Sequence, residues 1–443
     1  MSKKINLFAN LNSDFAAGLV VFLVALPLCL GIAMASGAPL FSGIISGVVG
    51  GIVVGYLSQS HISVSGPAAG LTAIILTAVT DFKAFDVFLL AAFLAGAIQL
   101  ILGFVKAGSI SNYFPNNVIE GMLAGIGIII ILKQFPHAVG YDTDFEGDEA
   151  FFQTDGNNTF SSLLGFFDYI QLGSIVITLI SLAILISWDK LPALKKLKLI
   201  PGALVAVVVG VILNEIFTVS GSTLAIQKEH LVSLPIPTSF EEFKNIIITP
   251  NFSSITNQKV WVVALTIAIV ASIETLLCIE AADRMDFQKR YTNPNVELKA
   301  QGIGNMISSL LGGLPMTSVV VRTSANNNAG AKSKMAAIIH GVLLLISVLA
   351  IPSILNKIPL ATLAAILLLV GYKLAKPATF LHFWHYGKYQ FVPFIATLLA
   401  VVFTDLLKGV ALGIIISIIF VLRGNLKRAY IFRKEEYEDG DII

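Results

Sequence analysis

The chain has 443 residues, 56% of them hydrophobic and only 13% charged, with a mean hydropathy of +0.84. Those proportions exclude a soluble globular or a disordered chain and indicate an integral membrane protein. A formal net charge of +2 gives no basis for a nucleic-acid partner. Cys29 and Cys278 both lie in apolar segments, so they read as small buried residues rather than a disulfide framework.

Apolar segments of roughly 17 to 25 residues, each able to cross a hydrocarbon core of about 30 Å, recur about fourteen times. The N-terminal MSKKINLFANLNSDF lacks the apolar core and cleavage site of a signal peptide, so the first membrane helix is expected to direct insertion. That helix, Asp14 to Ala35, contains Pro27, which should kink or locally unwind it. The second, Gly43 to Leu57, is rich in glycine and suited to close packing.

The third element differs from its neighbours. HISVSGPAAG (His61 to Gly70) starts extended, breaks at Gly66 and Pro67, and continues as a helix with Pro67 suited to its first position. A half-helix beginning at membrane depth is tolerated only inside protein or beside a water-filled cavity. Spans follow at Phe85 to Val105, Val118 to Leu132, Leu172 to Ile186 and Leu199 to Ile216, interrupted by an acidic loop at 137–170 that contains no Lys or Arg. Its DTDFEG stretch (Asp142 to Gly147) matches the start of a calcium loop, but Gln153 stands where the terminal Glu belongs.

The second half repeats this plan with Val260 to Ile279, Val296 to Leu311, a broken element, Met335 to Ile351, Leu360 to Val370, Phe391 to Val402 and Val410 to Leu422. In the broken element the β-branched run Thr317 to Val321 suits an extended segment, and Thr323, Ser324 and Asn326 could cap a fresh helix beside Arg322. Two halves of equal count, each with an extended-then-helical third element, point to an inverted repeat with its site between the breaks. The expected fold is an all-α integral membrane protein of 14 transmembrane segments in a 7+7 inverted repeat, with half-helices in segments 3 and 10. The expected divisions are 1–218 for the first repeat, 219–258 for an extracellular loop, 259–425 for the second repeat and 426–443 for a short tail. With both termini placed in the cytoplasm, Lys3 and Lys4, the lysines from Lys190 to Lys198, Arg284 to Arg290, Lys332 and Lys334, Lys373, Lys376 and Lys388, and the basic residues from Arg423 to Lys434 fall in turns on that side, which predicts a cell-membrane protein with the acidic loop outside.

Arg322 and Glu274 are charged residues in membrane-grade sequence, where a charge costs about 2.5 to 3.5 kcal/mol on insertion scales. Two helix N-termini of about +0.5 each, with Arg322 and an ionised Glu274, leave a site near +1; a protonated Glu274 brings it near +2. Either attracts an anion, and a Glu274–Arg322 pair that only locks the fold is the alternative. Protonation or cation binding at Glu274 would then be coupled to anion occupancy. His340 is a further buried titratable group, of a kind more often used for packing. No HExxH, P-loop or GxSxG is present, so no enzyme active site is expected.

The runs NPNVELKAQGIGNMISSLLGGLP and RTSANNNAGAKS, the N-terminal DFAAGLVVFLVALPLCLGIAMASGAP and VSGPAAG together resemble the sulfate permease (SulP) family of inorganic anion transporters, over nearly the whole chain. The resemblance implies core and gate domains moving as an elevator, with the anion between the half-helix N-termini of segments 3 and 10. It points to Ser65, Gly66, Ala68 and Ala69 on the first break and to Ser318, Val319, Val320, Val321, Arg322 and Thr323 on the second as substrate-binding. Glu274 and Cys278 fall where a sodium-coupled bicarbonate branch has an aspartate and a threonine, so sodium near Glu274 is one expectation and a proton the other. Val319 and Val320 replace small or hydroxyl residues of that branch, while VSGPAAG and Leu28 after Pro27 look more like its bicarbonate-type members.

Family members usually continue into a cytoplasmic STAS domain, for which a tail of about 20 residues is too short. A homodimer through membrane contacts remains compatible. The expectation is therefore a secondary active transporter of bicarbonate or sulfate coupled to H+ or Na+, with no cofactor. A passive anion channel, a chloride/bicarbonate exchanger and a nucleobase-type symporter on the same fold stand as alternatives.

Overall fold

The computed structural model describes residues 10–142, 159, 170–191, 194, 200–233 and 247–428. The N-terminal basic pair, most of the acidic loop, the lysines at 195–198 and the last residues of the tail lie outside them. Each expected apolar segment coincides with a helix. In chain order these are α1 (Leu11–Ala35), α2 (Leu40–Leu57), α3 (Ala69–Phe82), α4 (Phe85–Phe104), α5 (Asn116–Val139), α6 (Leu172–Lys190) and α7 (Gly202–Val219). Then come α8 (Gln258–Met285), α9 (Pro294–Leu310), α10 (Val320–Asn328), α11 (Met335–Ala350), α12 (Leu360–Leu374, extended by Pro377–His385), α13 (Lys388–Phe403) and α14 (Leu406–Arg428). Among the described residues nine helices are long and apolar enough to cross a membrane, and α3, α11 and α13 are shorter apolar ones. The polar helices α9 and α10 are instead enclosed by protein, with Glu297, Gln301, Asn305, Arg322 and Asn326 all essentially inaccessible.

Local chemistry accounts for several boundaries. The Asn293 carboxamide accepts from the backbone N–H of Asn295 at 3.0 Å and Val296 at 3.4 Å, with Pro294 opening α9. α5 ends on Gly140, whose φ of 89° a side chain would resist. The proline in α1 does not interrupt it: helix continues through Pro27 to Ala35.

The glycines of α2 permit close approach. A Cβ at Gly43 would overlap the carbonyl of Cys29 on α1, and one at Gly51 would come within 2.6 Å of Gly341 Cα on α11. A π-helical turn at Gly50–Val54 lies in the same stretch. Gly43→Ala is therefore expected to cost about 1–3 kcal/mol through overpacking against backbone that cannot yield. The check is the thermal midpoint of detergent-solubilised protein, which should fall.

Both breaks contain a short strand, β1 (Ser65–Pro67) and β2 (Met316–Ser318), and the two pair antiparallel with Ser65 opposite Ser318, Gly66 opposite Thr317 and Pro67 opposite Met316. Two details differ from expectation. Pro67 belongs to the strand, and α3 starts only at Ala69 with a 3-10 turn. The β-branched run is divided, with Thr317 in β2 while Val320 and Val321 already belong to α10. Strand pairing with the opposite break, invisible to local propensity, takes the residues that could have begun each helix.

At one end Asp14 accepts from the backbone N–H of Lys332 at 2.7 Å and of Ser333 at 3.0 Å, Lys334 Nζ donates to the Tyr56 carbonyl at 2.6 Å, and Arg290 Nε lies 2.7 Å from Asp286. At the other end His137 Nδ1 and His230 Nδ1 each lie 2.5 Å from one oxygen of Asp142, tying the end of α5 to the segment before α8. Leu231 continues this tie by bridging to Pro359 beside α12. Asp142 thus serves as an acceptor for two imidazoles; the remainder of the DTDFEG stretch lies outside the described residues.

Burial pushes the Asp142 carboxyl up, but the hydrogen bonds to His137 and His230 prevail and hold it below the usual carboxylate range. A lowered folded-state value contributes stability that is complete above the unfolded value of about 3.9 and is lost as pH falls through the folded value. Asp142→Ala should lower stability by about 1.5–3 kcal/mol near neutrality. Thermal midpoints of variant and wild type should converge in acid below that range.

Candidate functional site

A two-stranded sheet inside a membrane protein has two open edges, and every exposed backbone group there needs a partner. Side chains from three helices supply them. The Met316 N–H donates to Asn305 Oδ1 of α9 at 2.6 Å, and the Ser318 N–H donates to Thr275 Oγ1 of α8 at 3.4 Å. The Val64 N–H donates to Thr323 Oγ1 of α10 at 3.1 Å, and Asn326 Nδ2 donates to the Ile62 carbonyl at 2.8 Å. Ser63 and Ser318 hydroxyls meet at 2.5 Å.

These bonds correct the expected caps. The N-cap of α10 is Val319, with no side-chain cap, so Arg322 sits inside the first turn rather than ahead of it. Thr323 and Asn326 instead satisfy the backbone leading into the other break.

Because β1 and β2 run antiparallel, α3 and α10 leave opposite ends of the sheet in opposite directions. Three residues at about 3.3 Å each put their N-termini on the order of 10 Å apart. The predicted substrate residues are all placed around this sheet. Ser65, Gly66 and Ala68 lead into α3, Ser318 and Val319 lead into α10, and Val320, Val321, Arg322 and Thr323 form its first turn. Ala69 is half-buried and Gly70 exposed, so the first turn of α3 is open to its surroundings, while the residues of α10's first turn are buried. The side chains of Ala68, Ala69, Val319, Val320 and Val321 carry no hydrogen-bonding group, which leaves backbone N–H groups as the donors at the two helix starts.

The Arg322 guanidinium is fully buried and packs over the Cα of Gly66, where an added Cβ would overlap Nη1. Its Nη2 donates to Cys29 Sγ of α1 at 3.3 Å, whereas Nε and Nη1 have no hydrogen-bond partner among the described residues. Both nitrogens of buried His340 on α11 are likewise without a partner among the described residues. An enclosed arginine with two nitrogens unpartnered among the described residues has donors to offer a ligand.

Glu274 is brought to the other helix start. A Cβ at Gly70 would lie 3.0 Å from Glu274 Oε2, so the carboxylate rests against the first turn of α3, where the helix dipole favours negative charge. Cys278 is buried one turn further along α8 and, like Cys29, takes part in no disulfide. Sequence reasoning missed two features here. One is the contact of Cys29 with Arg322. The other is a polar stripe on α9, visible in hindsight as Glu297, Gln301 and Asn305 at intervals of four in a glycine-rich apolar run.

A cavity of about 170 Å³ opens between α1 and α10 on one side and α6, α7 and α12 on the other, lined by Val20, Ala325, Asn328, Trp188, Ala203 and Ile366 among others. Lys373 and Asp189 pair at 2.6 Å on its lining. Ala325, Asn328 and Ala329 bring the C-terminal half of α10 to its lining.

Broken helices meeting at a sheet beside a buried arginine, within a shell of membrane helices, define a transporter core rather than an enzyme. The sequence profile of the Sulfate permease family matches residues 11–397, and the chain belongs to that family of membrane anion transporters. It is 28% identical over 433 residues to YvdB of Bacillus subtilis, provisionally named a sulfate transporter, covering 96% of this chain and 76% of that one. It is also 28% identical over 373 residues to the bicarbonate transporter BicA of Picosynechococcus, covering 82% of this chain and 62% of the relative's length. The fold matches the transmembrane domain of a cyanobacterial BicA with a TM-score of 0.62 at 24% identity, over 93% of this chain and 98% of that one. It matches murine Slc26a9, an anion transporter, with a TM-score of 0.64 at 20% identity, over 99% and 72%.

Proposed function

We propose that the protein is a secondary active transporter of a small inorganic anion, bicarbonate or sulfate, which binds between the N-termini of α3 and α10 and is coupled to H+ or Na+ through Glu274. The observation that carries this reading is the enclosed Arg322 guanidinium with unpartnered nitrogens beside two helix starts. The relatives named for sulfate and bicarbonate transport support the substrate class. Apolar side chains at both breaks suit an oxyanion held by backbone donors, and they offer nothing to the polar edges of a nucleobase.

An elevator movement of a core (α1–α4 and α8–α11) against a gate (α5–α7 and α12–α14) is part of the same proposal. Its support is packing: α4 lies along α9 and α8, and α1 along α11, while α5 lies along α12 and α13, and α13 along α14. The cavity beside α10 runs between these two groups. Antiparallel pairing of β1 with β2 is what two inverted halves related by an axis through the sheet would produce, and it supports the 7+7 arrangement.

The test is uptake of labelled bicarbonate into proteoliposomes at fixed internal pH, with and without an inward sodium gradient and with sulfate as competitor. Sodium-driven accumulation unaffected by sulfate assigns a bicarbonate–sodium symporter. Sodium-indifferent uptake blocked by sulfate assigns a proton-coupled oxyanion carrier, and uptake that never exceeds electrochemical equilibrium refutes coupling.

A further inference from the structure

The polar stripe of α9 touches neither helix start, yet both breaks hang from it. Gln301 Nε2 donates to Ser65 Oγ of β1 at 2.6 Å and to Glu297 Oε1 at 3.1 Å. One turn further on, Asn305 Oδ1 accepts from the Met316 N–H of β2 at 2.6 Å, while its Nδ2 donates to the Met316 carbonyl at 3.1 Å and to Gln99 Oε1 of α4 at 2.6 Å. At the near end of the stripe Glu297 accepts from Ser58 Oγ at 2.5 Å. At the far end Ser308 Oγ donates to the Leu314 carbonyl at 2.9 Å.

The orientation of each amide is dictated by a group with a single role. An ionised Glu297 only accepts, so Gln301 turns its NH2 toward it, and the same NH2 reaches Ser65 Oγ. A backbone N–H only donates, so Asn305 must turn its oxygen to Met316 N, which leaves its NH2 for the Met316 carbonyl and Gln99. Asn305 therefore holds both polar groups of Met316, as a neighbouring strand would. Glu297, Gln301 and Asn305 are all essentially inaccessible, so water cannot replace a lost bond cheaply.

We infer that Gln301 and Asn305, with Glu297 orienting Gln301, are positioning residues that hold β1 and β2 to one rigid helix and so set the separation of the two helix starts on which anion affinity depends. This rests on the proposed anion site. Ser65 sits one residue before Gly66, the residue under the Arg322 guanidinium, and Met316 begins the strand that leads into α10. A shift of either strand along α9 changes the gap between the donors without altering any of them.

The test measures KM and Vmax for labelled bicarbonate and labelled sulfate in proteoliposomes of the full chain, together with its thermal midpoint. Gln301→Met and Ser65→Ala are each expected to raise KM about tenfold, the effect of losing one buried hydrogen bond, with Vmax little changed. The double variant should be no worse than Gln301→Met alone, because the bond that Ser65→Ala removes is already lost in Gln301→Met. Asn305→Asp keeps the acceptor for Met316 N–H but loses the donor, and should also raise KM.

Additive effects of Gln301→Met and Ser65→Ala overturn the inference, as does a lowered thermal midpoint with unchanged KM, which is the result of a purely structural role. If wild-type protein takes up neither anion, the transport reading falls and this inference with it. Saturable wild-type uptake with unaffected variants overturns the inference alone.

Discussion

Gly66→Ala is expected to reduce anion uptake by roughly two orders of magnitude, as far as removal of Arg322 itself. A methyl at that Cα overlaps Nη1 and approaches Cζ to 2.8 Å. The end of an arginine can usually swing aside, but this one is fully buried between Gly66, Cys29 Sγ and Gly47 of α2, where even a Gly47 Cβ would lie 3.8 Å from Nη1. Losing one member of a buried charge interaction costs 2–5 kcal/mol, and about 2.7 kcal/mol corresponds to a hundredfold in affinity.

Two companion measurements distinguish a displaced ligand-binding charge from a damaged fold. Gly66→Ala combined with Arg322→Met should transport no worse than Arg322→Met alone, since the methyl acts only through the guanidinium. Arg322→Met should also leave the thermal midpoint unchanged or raised, because it removes a buried charge whose Nε and Nη1 have no partner among the described residues. A clearly lowered midpoint in Arg322→Met would mean that the arginine holds the structure, and the proposed anion role would fall.

The sequence carried the spans and the positions of both breaks, because those follow from local composition. Hydropathy marks the spans, Gly66–Pro67 cannot continue a helix, and a β-branched run followed by Arg322 disfavours one. The starts of α3 and α10 were less legible because they depend on pairing across some 250 residues: Ser65 meets Ser318, and Thr323 serves Val64 rather than its own helix.

The same limit applies at the site. Arg322 and Glu274 stood out through the insertion cost of a charge, and both now lie beside the breaks. Their neighbours did not stand out, since Cys29, Gly70 and Asn305 are ordinary residues until folding places them against a guanidinium, a carboxylate and a strand edge. The clasp of His137, Asp142 and His230 was missed for the same reason.

Glu274→Gln should uncouple uptake while leaving anion exchange intact. In the structure the carboxylate lies against the first turn of α3, with Oε2 3.0 Å from where a Cβ of Gly70 would be. An ionised Glu274 therefore occupies the positive end of the same helix that an incoming anion needs, and the two charges compete for about half an elementary charge of dipole. On the proposed reading, a proton or a sodium ion on Glu274 would cancel its charge and free the helix start, so anion and cation would bind more tightly together than apart. That mutual dependence is what coupling requires.

Glutamine is nearly the same shape but permanently neutral, so the helix start is always free. Exchange of labelled for unlabelled anion across liposomes should persist in Glu274→Gln, with its dependence on the driving ion abolished and with accumulation above electrochemical equilibrium lost. Imposing a pH gradient and a sodium gradient separately on wild type identifies which ion is lost in the variant. Cys278 one turn away offers sulfur, a poor partner for sodium, and the backbone carbonyls around Glu274 would then have to complete a sodium shell. If Glu274→Gln keeps the wild-type response to both gradients, the carboxylate is not the coupling group, and the competition at the start of α3 plays no part in transport.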